Sequence, residues 1–221
     1  MESHRLAAVI PAFNESDTIY DVVAGVKNFC DVFVVDDRSS DETFNIANKA
    51  GAKVYKNQGK SGYENALNFG YSKVSNLGYD YILTIDADGQ HEPKYIEKFL
   101  TLISSEEPSI IIAQRTELPR ITEIIFSKLT TKIFGISDAF SGFKCYKVED
   151  FSNLNFSDYK LTGMNFLNMA IALKEEVITF DISIQKRKDE PRFGNSLKSN
   201  LILMRSVINF FLILTIRKIL L

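Results

Sequence analysis

The chain has 221 residues, 45% of them hydrophobic, which is enough for one sizeable core or two small ones. Its 26 basic and 28 acidic residues give a net charge of −2, so no overall basic field favours nucleic acid as a partner. Only two histidines are present, which argues against a multi-histidine zinc site, and Cys30 and Cys145 are expected to be buried thiols in a reducing compartment.

Strand and helix patterns alternate through the first half of the chain. The predicted strands are Leu6–Ile10, closed by Pro11, then Val32–Val35, Ala52–Tyr55, Tyr81–Ile85 and Ile110–Ala113. The predicted helices are one capped by Asn14 or Ser16 that ends near Phe29, one capped by Ser40 or Asp41 that ends at Ala50, one that follows the loop Lys56–Gly62 and ends near Ser75, and Lys94–Leu102. This order predicts an α/β fold with a mostly parallel sheet and helices on both faces.

The second half of the chain is less regular. Its predicted elements are a helix over Ile121–Phe134 with apolar and basic faces, a strand over Phe143–Tyr146, a helix over Met164–Lys174 and a strand over Val177–Ile184. The segment Arg187–Lys198 is polar and charged, and we expect it to be a loop. The chain enters its first strand almost at once, so no signal peptide is expected.

Polar side chains follow the predicted parallel strands, where ligands of such sheets bind. One crevice is therefore expected to hold Asn14, Glu15, Asp36, Asp37, Asp86, Asp88 and Arg115.

The most informative motif in this crevice is Asp86-Ala87-Asp88-Gly89-Gln90, at the tip of an apolar strand. Two carboxylates one residue apart are costly there unless a cation neutralises them. Carboxylate oxygens, with the amide oxygen of Gln90, suit Mg²⁺ or Mn²⁺, which keep open positions for substrate phosphates. The motif predicts a metal–diphosphate site, and the alternative is a solvated turn after a strand.

The C-terminal segment, residues 199–221, is distinct from the domain predicted over residues 1–198. From Leu201 onward its only charged residues are Arg205, Arg217 and Lys218, and the uncharged stretch Ser206–Ile216 is too short to span a bilayer as a helix. One interpretation is a helix in the membrane interface, held by apolar contacts and basic residues. The other is a helix buried against the domain or against a partner subunit. The sequence favours the first, and truncation from a longer membrane-spanning parent stays open.

Three motifs in order and spacing resemble the family 2 glycosyltransferases of GT-A (Rossmann-like) fold. They are Val9-Ile10-Pro11-Ala12-Phe13-Asn14-Glu15, Val34-Val35-Asp36-Asp37-Arg38-Ser39-Ser40-Asp41-Glu42-Thr43 and Asp86-Ala87-Asp88. Within that family, Asp86-Ala87-Asp88-Gly89-Gln90-His91 and Ser141-Gly142-Phe143-Lys144 are most similar to the polyprenyl-phosphate branch, which includes dolichyl-phosphate mannose synthases.

The resemblance implies a role for each matching residue. A nucleotide-diphosphate sugar would be bound by Pro11, Ala12, Asn14, Glu15, Asp36, Asp37, Lys60, Asp86, Ala87, Arg192 and Lys198. The metal, Mg²⁺ or Mn²⁺, would be held by Asp86, Asp88 and Gln90. The residues that take part in catalysis would be Asp88, Arg115, Asp138, Ser141 and Lys144. Asp36 has capping or loop-bracing as its alternative role.

The chain departs from the family pattern at two places. Lys144 stands where the family has arginine, which keeps the charge but loses the bidentate fork. Downstream, Arg192 lies one residue closer to its glycine, and Lys198 one residue further, than the branch usually shows. A charged connector is therefore the alternative role for this segment.

The resemblance implies metal-dependent, inverting transfer of a sugar to a polyprenyl phosphate at the cytoplasmic face of a membrane. A lipid phosphate needs no general base, whereas a hydroxyl acceptor needs one, and Asp138 is the carboxylate that the spacing suggests. Transfer to a glycan or small-molecule hydroxyl and a non-catalytic nucleotide-sugar binder are the alternatives. A homo-oligomer formed through the C-terminal helix also stays open.

Overall fold

The computed structural model describes residues 4–118, 120–151, 167–168, 170–171, 174–185, 204, 207–208, 210–212 and 215. The strands are β1 (Leu6–Ala12), β2 (Asp31–Asp36), β3 (Lys53–Lys56), β4 (Tyr81–Thr84), β5 (Ile110–Arg115), β6 (Lys144–Lys147) and β7 (Val177–Ile182). The helices are α1 (Ile19–Val26), α2 (Thr43–Lys49), α3 (Tyr63–Val74), α4 (Ile96–Glu106), α5 (Ile121–Phe134) and α6 (Val148–Phe151), with 3₁₀ turns at Ser75–Leu77 and Pro93–Tyr95.

The strands form a single sheet in the order β3-β2-β1-β4-β6-β5-β7. Neighbours run parallel except at β6, which is antiparallel to both β4 and β5. The predicted mostly parallel sheet is therefore confirmed. Because β6 runs backwards, its first residues lie at the edge where the parallel strands end, with Lys144 paired with Thr84.

Helices cover both faces of the sheet, as the alternating pattern predicts. On β1, Leu6, Ala8 and Ile10 face one apolar layer, which contains residues of α1, α2 and α4. The alternate residues Ala7 and Val9 face a second layer, with residues of α3 and α5. Continuous burial on both faces explains why the strands read as apolar runs rather than as alternating patterns.

The expectation that Pro11 closes the first strand is wrong, because β1 continues to Ala12. Val9 accepts a hydrogen bond from Ile85 on the β4 side, and Ala12 accepts one from Asp37 on the β2 side. Alternation along the strand turns the nitrogen of Pro11 toward β4, whose paired register ends at Val9. The missing N–H therefore breaks no ladder hydrogen bond.

Of the expected caps of the first two helices, Asp41 accepts a hydrogen bond on Oδ1 from the N–H of Thr43, the first residue of α2, at 3.0 Å. Asn14, Ser16 and Ser40 do not act as caps, since α1 begins at Ile19 and α2 at Thr43. The polar side chains instead join the two loops that precede these helices. Asn14, at φ 52°, accepts a hydrogen bond on Oδ1 from the Ser40 N–H at 2.8 Å. The other predicted elements within the described residues are present, with ends shifted by a few residues, and Ile121–Phe134 is confirmed at both ends.

Several predictions concern residues outside the described part of the chain. These are Arg187–Lys198, much of the predicted helix Met164–Lys174, the domain limit at residue 198 and much of the segment 199–221. The described residues between 204 and 215 are helical. Among the described residues, no helix is long and apolar enough to cross a membrane.

The C-terminal helix has one packed and one exposed side. Phe210 is buried, and its ring lies 5.7 Å from that of Phe126 on α5. Met204, Ile208 and Leu212, spaced four residues apart, are about half exposed. One side of this helix is therefore packed against the domain, as the second interpretation predicts. The other side carries an exposed apolar stripe formed by Met204, Ile208 and Leu212.

Close packing of α3 on the sheet gives a test of the fold. A Cβ at Gly70 would lie 2.5 Å from Cγ1 of Val9 and 2.9 Å from Cγ2 of Val35. We expect Gly70→Ala to lower the free energy of unfolding by about 1–2 kcal/mol, because overpacking outweighs the helix propensity of alanine. Urea denaturation measures the change. The same substitution in a Val9→Ala background should cost less, and a stabilised Gly70→Ala protein would contradict this packing.

Candidate active site

The predicted site residues of the described chain gather at one edge of the sheet. The carboxyl ends of β1, β2 and β4 meet there, and the antiparallel β6 starts there. Thr84, the last residue of β4, donates a hydrogen bond from Oγ1 to the Gly142 carbonyl at 2.9 Å, which fixes the Ser141–Lys144 turn beside the Asp86 turn. The fold therefore joins two motifs that lie more than fifty residues apart in the sequence.

Asp86 is held from three elements. Its Oδ1 accepts a hydrogen bond from the Tyr63 hydroxyl at 2.7 Å, and its Oδ2 lies 3.5 Å from Nε2 of the buried His91. A Cβ on Gly142 would collide with both carboxylate oxygens, so only glycine fits at this approach. Burial alone would raise the pKa of Asp86, but the hydrogen bonds from His91 and Tyr63 outweigh it and lower that pKa. The carboxyl group is therefore an anion at neutral pH.

Asp88 lies beside Asp86 in a different environment. Its Oδ1 accepts a hydrogen bond from the Gln90 N–H at 3.0 Å, and its side chain is half buried. The Gln90 side chain donates from Nε2 to the Gln185 carbonyl at 3.4 Å. A cavity of about 330 Å³ opens beside Asp88 and is also lined by Thr18, Asp21 and Gln185. Asp88 is therefore reachable from outside the sheet edge.

The residues present fit a magnesium or manganese ion that is completed by a substrate. Asp86 and Asp88 offer carboxylate oxygens and Gln90 an amide oxygen, all hard donors. Among the described residues, no group of three or more His, Cys, Asp or Glu side chains could hold a metal by itself. Mg²⁺ sites with one or two carboxylates usually take their remaining ligands from water and substrate phosphates.

Asp37 organises the loop that follows β3. Its Oδ1 accepts from Nδ2 of Asn57 at 2.7 Å, and its Oδ2 accepts from the Ser61 hydroxyl at 2.9 Å and the Gly62 N–H at 2.6 Å. These contacts order the loop that carries Lys60, which is itself exposed. Asp36, also buried, accepts from the Ser39 N–H at 3.2 Å. Asp36 and Asp37 therefore both brace loops, and their roles in binding a nucleotide stay predictions.

The turn after β1 is bound to the start of α2. The Glu15 N–H donates to Oγ1 of Thr43 at 2.7 Å, and the Glu15 carboxylate accepts from the Thr18 hydroxyl at 3.2 Å. Pro11 and Ala12 are buried in β1, and Ala87 is buried between Asp86 and Asp88. Pro11, Ala12 and Ala87 therefore contribute apolar surface and backbone groups to the site rather than charge. The position of β1 places Asn14 and Glu15 next to the loop after β2.

Arg115 and Asp138 form a buried ion pair instead of standing apart. The guanidinium donates from Nε to Asp138 Oδ2 at 2.6 Å and from Nη2 to Oδ1 at 3.0 Å, and it also reaches Glu123 at 3.3 Å. Arg120 pairs with the other oxygen of Glu123. Burial would lower the pKa of Arg115, but Asp138 and Glu123 raise it, so the guanidinium stays a cation in this cluster.

Lys144 is a buried cation beside this cluster. Its Nζ donates to the Ser141 carbonyl, and Ser141 is itself buried with its hydroxyl accepting from the Phe143 N–H at 3.1 Å. Burial lowers the pKa of Lys144 from 10.5 to about 8, although Asp138 and Glu64 act in the opposite direction. The ammonium therefore stays protonated at pH 7 but is poorly solvated, and it is suited to an anion that reaches it.

The sequence predicted part of this arrangement. Arg192 and Lys198 lie outside the described residues, so their placement at the site stays a prediction. Tyr63 and Glu123, which belong to no predicted motif, contact the site residues Asp86 and Arg115. Gly142 belongs to the predicted Ser141–Lys144 motif, but that motif did not indicate its close approach to Asp86. A weak signal existed for Glu123, which lies three residues after Arg120 at a spacing that favours ion pairs on a helix. Nothing in the sequence indicated that the Tyr63 hydroxyl reaches Asp86.

Comparison with known families and relatives agrees with this geometry. The sequence profile described as glycosyl transferase family 2 matches residues 7–153, more than half of the chain. An uncharacterized protein of Methanocaldococcus jannaschii is 36% identical over 50% of this chain. A UDP-N-acetylglucosamine–dolichyl-phosphate N-acetylglucosaminyltransferase of Methanococcus voltae is 30% identical over 65% of it. The aligned parts span 46% and 64% of these two relatives.

Solved structures show the same fold. Glucosyl-3-phosphoglycerate synthase from Mycobacterium tuberculosis, in complex with Mn²⁺, UDP-glucose and phosphoglyceric acid, superposes with a TM-score of 0.74 at 18% sequence identity. The superposition covers 95% of this chain and 79% of that one. The α/β fold that the sequence predicted is thereby confirmed, and at this identity the likeness concerns the fold alone.

The buried ammonium of Lys144 gives a test by pH. Between pH 8 and 10.5 the unfolded chain keeps this proton and the folded chain loses it, so stability rises with pH in that window. We expect the free energy of unfolding of the wild type, minus that of Lys144→Met, to increase from pH 8 to 10.5 in urea titrations. Lys128→Met, an exposed lysine of α5, is the matched control. A constant difference for Lys144→Met would contradict the burial of this charge.

Proposed function

Because this chain belongs to glycosyl transferase family 2, we propose that it is a metal-dependent inverting hexosyltransferase. It moves a sugar from a nucleotide-diphosphate sugar, a UDP-hexose or GDP-mannose, to a polyprenyl phosphate such as dolichyl phosphate. The observation that carries this proposal is the position of Asp86 and Asp88 at the sheet edge where the loops after β1 and β2 also begin. The Methanococcus voltae relative, named for a UDP-sugar and a dolichyl-phosphate acceptor, supports the choice of both substrates.

The nucleotide-diphosphate sugar would bind at the edge of the sheet that carries Asp37, Asp86 and Asp88. Asp86, Asp88 and Gln90 would hold Mg²⁺ or Mn²⁺, and the ordered loop that carries Lys60 would lie against the nucleotide. The metal, when bound, supplies positive charge to the diphosphate that leaves. The Mycobacterium tuberculosis structure with Mn²⁺ and UDP-glucose supports a cation of this class on this fold. Arg115 stays charged behind the site, but its ion pairs with Asp138 and Glu123 offset that charge, so it holds these carboxylates in place rather than adding net positive charge.

The surroundings of Asp138 and Lys144 favour an acceptor that is already ionised, such as a phosphate, over a hydroxyl. A hydroxyl acceptor needs a base, yet both oxygens of Asp138, the base that the spacing suggested, are engaged by Arg115. A phosphate monoester has a second pKa near 6 and is largely a dianion at neutral pH. Such an acceptor needs a cation to position it rather than a base, and the buried Lys144 offers one.

A lipid acceptor also fits the outer surface of α5. Ile121, Ile125 and Ile133 on this helix are between 51% and 73% exposed. Lys128 and Lys132 are exposed on the same helix, whereas its acidic residue, Glu123, is buried in the ion-pair cluster. Together with the stripe at Met204, Ile208 and Leu212, this surface combines apolar and basic residues, as interfacial helices do.

We therefore place the enzyme at the cytoplasmic face of a membrane, with α5 and the C-terminal helix in contact with lipid. Cys30 and Cys145 are free cysteines, which agrees with a reducing compartment. Anionic lipid would be attracted by the exposed lysines of α5. The prenyl chain would then stay in the membrane while its phosphate reaches the sheet edge near the first turn of α5.

The reaction itself can be tested with labelled donors. We expect transfer of radiolabelled sugar from UDP- or GDP-sugars into organic-extractable lipid, in membranes that contain polyprenyl phosphate and Mg²⁺ or Mn²⁺. Asp88→Asn should lower this transfer at least about a hundredfold without unfolding the protein, because a ligand of the cation is lost. Asp181→Asn, on the exposed side of β7, is the matched control.

Each other outcome of this assay counts against part of the proposal. Nucleotide release with soluble hydroxyl acceptors, but no lipid label, would contradict the lipid acceptor. Donor binding without any turnover would favour a nucleotide-sugar binder, and an Asp88→Asn protein that turns over normally would contradict the metal site.

The proposed lipid-binding surface of the protein is tested by a flotation assay with vesicles of mixed phosphatidylcholine and phosphatidylglycerol. We expect wild-type protein to bind, and Ile125→Glu to bind about tenfold more weakly, because an exposed apolar side chain that would enter the lipid is replaced by a charge. Leu77→Glu, at an exposed leucine outside both helices, should bind as the wild type does. Equal binding of all three proteins would contradict this surface, and a wild type that dimerises and ignores vesicles would show that a second copy covers it.

A further inference from the structure

Asp86 is attached to the same loop that Asp37 organises. The Gly62 N–H donates to Asp37 at 2.6 Å, and the hydroxyl of the next residue, Tyr63, donates to Asp86 at 2.7 Å. Gly62 has a φ of 121°, in the region that favours glycine, and this backbone turns the chain into α3. Two acidic motifs fifty residues apart in the sequence are thereby joined through two adjacent residues.

We propose that Tyr63 is a positioning residue that holds the Asp86 carboxylate in the orientation which the metal and the donor diphosphate require. Through its neighbour Gly62, it couples this carboxylate to the loop that Asp37 orders. This inference rests on the proposed function, because it concerns the metal site of that reaction.

The chemistry of the contact suits positioning. A carboxylate has about four lone-pair sites, and a phenol hydroxyl occupies one of them without cancelling the charge. Asp86 can therefore be oriented by Tyr63 and still bind a cation, which a lysine at the same place would oppose. His91, buried and packed at 5.3 Å between ring centroids on Phe143, lies on the other oxygen. Gly142 closes the third side, so the carboxylate has little freedom to rotate.

Loss of the hydroxyl should act on metal binding rather than on folding. Tyr63 is 40% exposed, so removing its hydroxyl leaves no buried cavity. Hydrogen-bond partners of metal ligands typically contribute 10–100-fold to metal affinity. We therefore expect Tyr63→Phe to raise the dissociation constant for Mn²⁺ about tenfold and to leave the melting temperature close to that of the wild type.

The chain contains a matched control for this variant. The Tyr79 hydroxyl donates to Oδ2 of Asp31, also at 2.7 Å, at the opposite end of the strands. Tyr79→Phe removes the same atom from the same kind of contact, and it should leave the Mn²⁺ dissociation constant unchanged. The full chain is titrated with Mn²⁺ in the presence of UDP and, separately, GDP, and the free ion is measured by electron paramagnetic resonance.

A double-mutant cycle separates positioning from a direct contact with the ligand. If Tyr63 acts through Asp86, the double variant Tyr63→Phe, Asp86→Asn should bind Mn²⁺ as weakly as Asp86→Asn alone. Additive losses would overturn the inference, because they would mean that Tyr63 acts independently of Asp86. Tighter binding by Tyr63→Phe would also overturn it, because the hydroxyl would then be a competitor that the ligand displaces.

The two proposals fail in different ways. Wild-type protein that binds no Mn²⁺ with either nucleotide would overturn the proposed metal site, and this inference with it. Wild-type protein that binds Mn²⁺, with an unchanged dissociation constant in Tyr63→Phe, would overturn the inference alone.

Discussion

Crowding of carboxylates at one edge of the sheet is the constraint on which the rest of the site depends. Parallel strands deliver Asp37, Asp86 and Asp88 to the same place, and the turn after α5 adds Asp138, which is bonded to Arg115 at the end of β5. Like charges in partly buried surroundings are costly unless each has a partner. The local structure can be understood as a set of different partners for these anions, and the kind of partner decides what each carboxylate can do.

Three of these carboxylates, those of Asp37, Asp138 and Asp86, have three different kinds of partner. Asp37 accepts hydrogen bonds from three uncharged donors, and these contacts brace a loop. Asp138 is matched with Arg115, and this buried pair fixes the start of α5 through Glu123. Among the described residues, Asp86 is contacted by the Tyr63 hydroxyl and the His91 imidazole and makes no ion pair with a lysine or arginine, so its charge is oriented but not cancelled. Of the three, Asp86 is the one whose surroundings leave it suited to a cation.

Helix α5 connects this electrostatic arrangement to the outer surface. Its first turn is anchored by the buried Glu123, while its outer side carries exposed isoleucines and two lysines. Phe126 fixes the helix from inside by packing against Phe210 of the C-terminal helix. A single helix therefore borders both the acidic edge and the apolar surface. For the polyprenyl phosphate acceptor proposed above, this geometry would let the phosphate meet the site while the prenyl chain stays in the membrane.

The sequence by itself determined the order of elements, the mostly parallel sheet and the edge at which the acidic motifs meet. These follow from local patterns, because apolar runs fix the strands and parallel strands share one functional end. Only the tertiary structure decided the partners of each side chain. The Tyr63–Asp86 hydrogen bond, the Gly142 approach and the neutralisation of Asp138 by Arg115 depend on distances between segments remote in sequence. The sequence also could not show that β1 continues through Pro11. A proline is accommodated there because the pairing of β4 with β1 ends at Val9, before it.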